Sequence, residues 1–169
     1  MLDRTIDKPR YRAHLKRLTI VAILLLLCIS LSSSTLLIYV FGGPSGSNFW
    51  LNAAGVLIAL VSLMMVFQRL RNRPWFYEID YVLRIKQQLT AIQRRLPVIT
   101  ESANSGDVNA CIVLAFYYEA SAQIWQLDDN TLLLADLLQQ QATFLAQIAE
   151  RHLTIDAAKF NANLLEQWQ

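Results

Sequence analysis

Few residues in this chain have the chemistry to act on a substrate, and those few are scattered. The two histidines, His14 and His152, lie at opposite ends of the sequence with no acid or nucleophile at catalytic spacing beside either. A protonatable ring at the end of a helix interacts well with the helix dipole, so His152 reads as a helix-terminal residue. Asp128 and Asp129 are adjacent carboxylates, but the segment lacks the further oxygen ligands, glycine and terminal glutamate of a calcium loop, and they read as helix-capping acids. Cys28 and Cys111 form no CxxC or Cys/His cluster, which leaves both as small apolar side chains and predicts no metal. No Gly-rich phosphate loop, HExxH or nucleophile elbow occurs. These residues predict neither an enzyme nor a bound cofactor.

The elements that carry these residues are dominated by two apolar runs. Leu18 to Phe41 and Phe49 to Phe67 contain no Asp, Glu, Lys, Arg or His. Each is long enough to cross a hydrocarbon core of about 30 Å, which takes roughly 20 helical residues. The 54% hydrophobic and 17% charged composition fits a chain that lipid partly solvates. Neither run holds the ionisable residue that ion-coupled carriers place at membrane depth, which argues against transport by this chain alone. A cleaved signal peptide is also disfavoured, because the first run is long, no A-x-A site follows it and a second run comes directly after.

Charge divides the chain. Residues 1–73 carry nine Lys and Arg against two Asp, whereas residues 74–169 carry six basic residues against eleven acids. An acidic distal half is a poor binder of nucleic acid, which is held through its phosphates. Every charge flanking the apolar runs lies before Leu18 or after Phe67, and the segment 42–48 between them has none. The positive-inside rule then predicts two spans with both termini in the cytoplasm. Arg10, Arg12, Lys16, Arg17, Arg69, Arg71 and Arg73 are the candidate lipid-headgroup and topology residues. Tyr39, Phe41, Phe49 and Trp50 predict an aromatic belt at the outer interface, with Tyr11, Trp75, Phe76 and Tyr77 as an inner counterpart. Ser30 and Ser34 on the first run and Gly55 and Ala59 on the second have the small-xxx-small spacing of close helix contacts. The hydroxyls of Ser32 to Thr35 read as bonded back to their own helix.

The expected organisation is a basic segment over 1–17, transmembrane helices over 18–41 and 49–68 joined by a turn over 42–48, and a cytoplasmic helical domain over 69–169. In the last part Val82, Ile85, Leu89, Ile92, Leu96 and Ile99 recur at alternating spacings of three and four, a coiled-coil-like seam that Pro97 should kink or end. This seam is the core of a bundle within one chain, or alternatively a candidate surface for homo-oligomerisation. Asp107 or Ser105 caps a helix running to about Gln126, which buries Val108, Cys111, Ile112, Ala115, Tyr118 and Ala122. A third helix spans about Thr131 to His152, with Leu134, Leu137, Leu138, Phe144, Leu145 and Ile148 as its apolar stripe. Thr154 or Asp156 caps a last short helix carrying Phe160, Leu164, Leu165 and Trp168. The fold class is therefore an all-α membrane protein, a two-helix hairpin followed by a three- to four-helix bundle.

The opening Ile6-Asp7-Lys8 through Tyr11-Arg12 and His14-Leu15, the Gly106-Asp107 break, and Trp125-Gln126-Leu127-Asp128-Asp129-Asn130-Thr131 together resemble a family of small two-span bacterial inner-membrane proteins of unknown function. The resemblance covers nearly the whole chain; it implies a multi-pass protein of the bacterial inner membrane and no particular activity. A narrower likeness, Ala103-x-x-Gly106-Asp107-x-x-Ala110-x-x-x-Leu114-x-x-x-Tyr118, is similar to the helix junction of Sel1-type repeats, in a single copy. The functional expectation is a membrane-anchored interaction or scaffold protein, in contact with membrane lipids and a protein partner. The alternative is an accessory subunit of a larger transporter or envelope complex that docks through its hairpin.

Overall fold

The computed structural model describes residues 2–3, 5–42 and 47–168. Arg4, and Gly43, Pro44, Ser45 and Gly46 of the expected turn, lie outside the described residues. All regular structure among the described residues is helical. The chain divides into two compact units: Pro9–Asp80, and Met1–Lys8 together with Tyr81–Gln169. The division falls in the first turn of one helix and near the start of another, not at the ends of the apolar runs.

The first unit is built on two long apolar helices, α1 (Lys8–Phe41) and α2 (Phe49–Leu70). Helix formation does not stop at the edge of the first apolar run, because the residues from Lys8 to Arg17 contain no glycine and their one proline, Pro9, sits in the first turn, where its missing N–H costs nothing. The apolar part of α1 is about 36 Å long and α2 about 33 Å, both sufficient for a bilayer core. The two pack through the expected small residues. Gly55 and Ala59 are buried, and a Cβ added to Gly55 would stand 2.7 Å from the Ser34 backbone nitrogen. At this crossing the Ser33 hydroxyl donates to the Gly55 carbonyl at 3.1 Å and the Ser34 hydroxyl to the Asn52 carbonyl at 3.4 Å. Ser33 also bonds back to Ile29, as the hydroxyl run predicts, and Ser62 bonds to Ile58. Tyr39, Phe41, Phe49 and Trp50 are all exposed at the end where the helices are joined.

The second unit is organised around one helix. α5 (Val108–Leu127) is apolar almost all round, which marks a helix covered on several sides. Ala110, Cys111, Val113 and Ala120 are fully buried, while Val108 is exposed and Ala115 and Tyr118 are half-buried. The central helix thus uses more of its circumference than a single stripe predicts. Against α5 pack α4 (Leu96–Asn104), α6 (Leu134–Glu150) and a C-terminal segment of two 3-10 turns, Ala157–Lys159 and Ala162–Trp168. These 3-10 turns stand where a fourth short α-helix was expected. Phe160 stacks on Phe116 with ring centroids 4.0 Å apart, and the Trp168 indole donates to the Ser102 hydroxyl at 3.0 Å.

The helix α3 (Tyr77–Gln93) breaks before α4 because a proline ring clashes with the carbonyl four residues upstream, and Gln93 stands four before Pro97. Asp107 caps α5, its carboxylate accepting from the Asn109 N–H at 2.8 Å. Asp128 and Asp129 do not cap the following helix. They end α5, with Asp128 at its C-cap and Asp129 beyond it at a positive φ of 58°, and α6 starts later, at Leu134, with no side-chain cap.

Candidate functional site

The basic residues form a collar at the end of α1 and α2 that leads into α3. After α2 ends at Leu70 the chain turns, and Pro74 starts a 3-10 turn over Pro74–Phe76 that feeds α3. The first turn of α3 carries Glu78 and Asp80, where acids suit the positive end of the helix dipole. These two carboxylates are buried and take cations from the collar. Arg10 Nε lies 2.9 Å from one oxygen of Glu78, His14 Nδ1 lies 2.9 Å from the other, and Arg71 Nε lies 2.5 Å from Asp80. A buried carboxylate left without such partners is strongly destabilising, so Arg10 and Arg71 are structural as well as cationic. Counting only Lys and Arg around the apolar runs misses both acids; the signal for them is their place one turn beyond Arg73-Pro74.

The remaining collar residues, Arg12, Lys16, Arg17, Arg69 and Arg73, are exposed. Of the expected inner aromatics, Trp75 and Tyr77 are partly exposed while Tyr11 and Phe76 are buried. Trp75 is held edge-on between His14 and Phe76, at 5.9 and 5.6 Å between centroids.

In the second unit the residues before α1 form an arm laid on α5. The Asp3 N–H donates to the Tyr81 hydroxyl at 2.8 Å, Tyr81 donates to Gln123 at 2.9 Å, and Gln123 donates back to the Asp3 carbonyl at 2.6 Å. Lys8 pairs with Asp129, and Lys86 pairs with Asp128 at 2.6 Å, so the two acids that resemble a cation site each hold a lysine. An open groove of about 480 Å³ runs beside the arm, with Leu2, Ile6, Glu119 and Gln126 in its walls.

The α6 stripe expected to be all core is split. Leu137, Phe144 and Ile148 point inward and are buried, whereas Leu138 and Leu145 are 44% and 51% exposed. Seven residues apart, they share one side of the helix, and Leu132 and Leu133, also exposed, precede it. On α3 and α4, Val82, Ile85, Ile92 and Ile99 are buried within a single chain, and Leu89 and Leu96 half-buried. Burial raises the pKa of the Cys111 thiol, against a smaller lowering by Arg151, and likewise raises those of the Tyr117 and Tyr118 phenols. Cys111 is therefore a protonated thiol at neutral pH, with little nucleophilic character.

The family described as protein of unknown function DUF3087 matches residues 1–165. The chain belongs to this family. The match runs through the arm, both long helices and the helical unit, so the resemblance carried by Ile6-Asp7-Lys8, Gly106-Asp107 and Trp125 to Thr131 extends over the whole architecture. Neither a curated protein nor a solved structure matches the chain.

Proposed function

We propose that this DUF3087 chain is a membrane-anchored interaction protein without enzymatic activity, inserted in the bacterial inner membrane with both termini cytoplasmic. Its helical unit recruits a partner through the outer face of α6. Anchoring is supported by two helices long and apolar enough to span, each with an uncharged apolar run. The sidedness is supported by the arm: residues before α1 and residues after α2 belong to one packed unit, and a chain can return to the same side only after an even number of crossings.

The observation that carries the recruiting role is the second apolar face of α6. Leu138 and Leu145, preceded by Leu132 and Leu133, are left uncovered on a helix whose opposite side is already packed. Such a face takes the apolar stripe of another helix, with anchors at helical spacing. The expected result is that full-length protein purified from native membranes retains a partner that the Leu138→Ser/Leu145→Ser double variant loses. Removing two leucines from a helix-in-groove contact weakens it by roughly 10- to 100-fold. Helicity should be unchanged, because both side chains face outward. A partner held equally well by the double variant, and lost only when the surfaces of α1 and α2 are altered, would replace this reading with docking through the hairpin.

A further inference from the structure

Two cavities of the first unit adjoin at the end of the long helices that carries the collar. One, of about 370 Å³, lies between α1 and α2 and is lined almost wholly by apolar side chains, from Leu18 to Leu27 on the first helix and from Leu63 to Leu70 on the second. The other, of about 420 Å³, is lined by His14, Arg17, Leu18, Val21, Leu70 and Trp75. Leu18, Val21 and Leu70 belong to both walls, so an apolar body opens at a mouth that is cationic and aromatic.

We propose that this groove binds one anionic phospholipid, with an acyl chain lying between α1 and α2 and the headgroup phosphate held by Arg17. The proposal rests on the membrane-spanning reading above and adds a defined lipid site to it. The ten residues from Leu18 to Leu27 cover about 15 Å of helix, half of a hydrocarbon core, which suits a chain in a single leaflet. At the mouth, Arg17 is exposed and makes no ion pair or hydrogen bond among the described residues. Glu78, the acid bonded to the His14 of this mouth, has one oxygen on Arg10 and the other on His14. Arg10 and Arg17 against Glu78 leave the mouth positive even with a neutral imidazole. With its Nδ1–H donated to Glu78, a neutral His14 ring presents only a lone pair at its other nitrogen, so the phosphate is held by Arg17. Trp75, fixed by its two edge contacts, supplies the amphipathic ring that settles at headgroup level. An anionic headgroup satisfies this mouth better than a zwitterionic one, whose positive group would face Arg17.

The test uses the full chain in phosphatidylcholine vesicles and reads tryptophan emission. Trp50→Phe, Trp125→Phe and Trp168→Phe together leave Trp75 as the single indole, and a companion protein keeps Trp50 alone, at the far end of the helices. Phosphatidylglycerol brominated on the acyl chain near the headgroup is the quencher, with equally brominated phosphatidylcholine as its counterpart. Trp75 should be quenched at a several-fold lower mole fraction of the anionic lipid than of the zwitterionic one. Arg17→Gln should abolish that preference, Arg17→Lys should restore part of it, and Trp50 should show none. Equal quenching of Trp75 by both lipids, or a preference indifferent to Arg17→Gln, would reduce the groove to ordinary lipid contact and overturn the proposal. So would release of the quenching by inorganic phosphate, which would make the mouth a site for a free anion. If quenching of Trp50 is normal while Trp75 shows no preference, the lipid site alone fails. If neither indole is quenched by any lipid although circular dichroism shows an intact fold, the spanning reading fails and takes the site with it.

Discussion

Three residues end the helices of the second unit in the same way, although they differ in type. Gly106, Asp129 and His152 have φ of 94°, 58° and 53°, each one position beyond a helix C-cap. At each the next residue closes the helix by donating to a carbonyl of its last turn: Asp107 to Ser102 at 3.1 Å, Asn130 to Trp125 at 2.9 Å, and Leu153 to Ile148 at 3.2 Å. This is the Schellman arrangement, which favours glycine because a Cβ crowds the left-handed backbone. Asp129 is offset by its ion pair with Lys8, whereas the His152 side chain makes no such bond among the described residues. His152→Gly should therefore raise the stability of the helical unit by about 0.5–1 kcal/mol, read from thermal unfolding by circular dichroism in detergent. Asp129→Gly should gain less because it loses Lys8. A destabilised His152→Gly would mean that the imidazole makes a contact of its own. Helix-terminal placement of His152 is legible in sequence; the left-handed backbone is not, since nothing in the residue type demands it.

At the scale of elements, pattern reading succeeds where one surface decides and fails where two compete. The spacing of Ser30, Ser34, Gly55 and Ala59 identifies the α1–α2 contact because only small residues let two backbones come so close. Gly55→Val should force the helices apart and lower the stability of the pair by about 1–3 kcal/mol, the range for overpacking a tight contact. The denaturation midpoint in mixed micelles measures this, with the exposed Leu57→Val as a control that should move little. An unchanged midpoint for Gly55→Val would show that the contact at Ser34 is not needed. For α6 the six apolar residues read as one stripe, yet three face the core and two face outward, since an apolar arc wider than the buried face looks the same in sequence whatever covers it. The start of α6 was also illegible, because Leu133 gives no capping signal.

At the scale of the molecule, the arm ties the beginning of the chain to its end. The ring of bonds among Asp3, Tyr81 and Gln123, with the Lys8–Asp129 pair, joins residues up to 121 positions apart, from before the two long apolar helices to after them. The topology read from charge alone and the packing of the arm are independent arguments for termini on one side. A reporter active only outside the cytoplasm should work when inserted near Ser45 and fail at either terminus. Activity at both termini and none near Ser45 would invert the orientation, and activity at only one terminus would break the hairpin.

The sequence by itself determined two uncharged apolar helical runs long enough to span a bilayer, a wholly helical distal half, the close contact at Gly55 and a cap at Ser105 or Asp107, because each follows from local composition or from spacing along one or two helices. Only the tertiary structure decided that Glu78 and Asp80 receive the collar, that Asp128 and Asp129 hold lysines rather than start a helix, and that residues before α1 fold with those after α2. It also decided which half of the α6 stripe is left uncovered. These outcomes depend on which surfaces meet after the chain has folded back on itself, and a side chain's type sets only what it can bond to, not what arrives beside it.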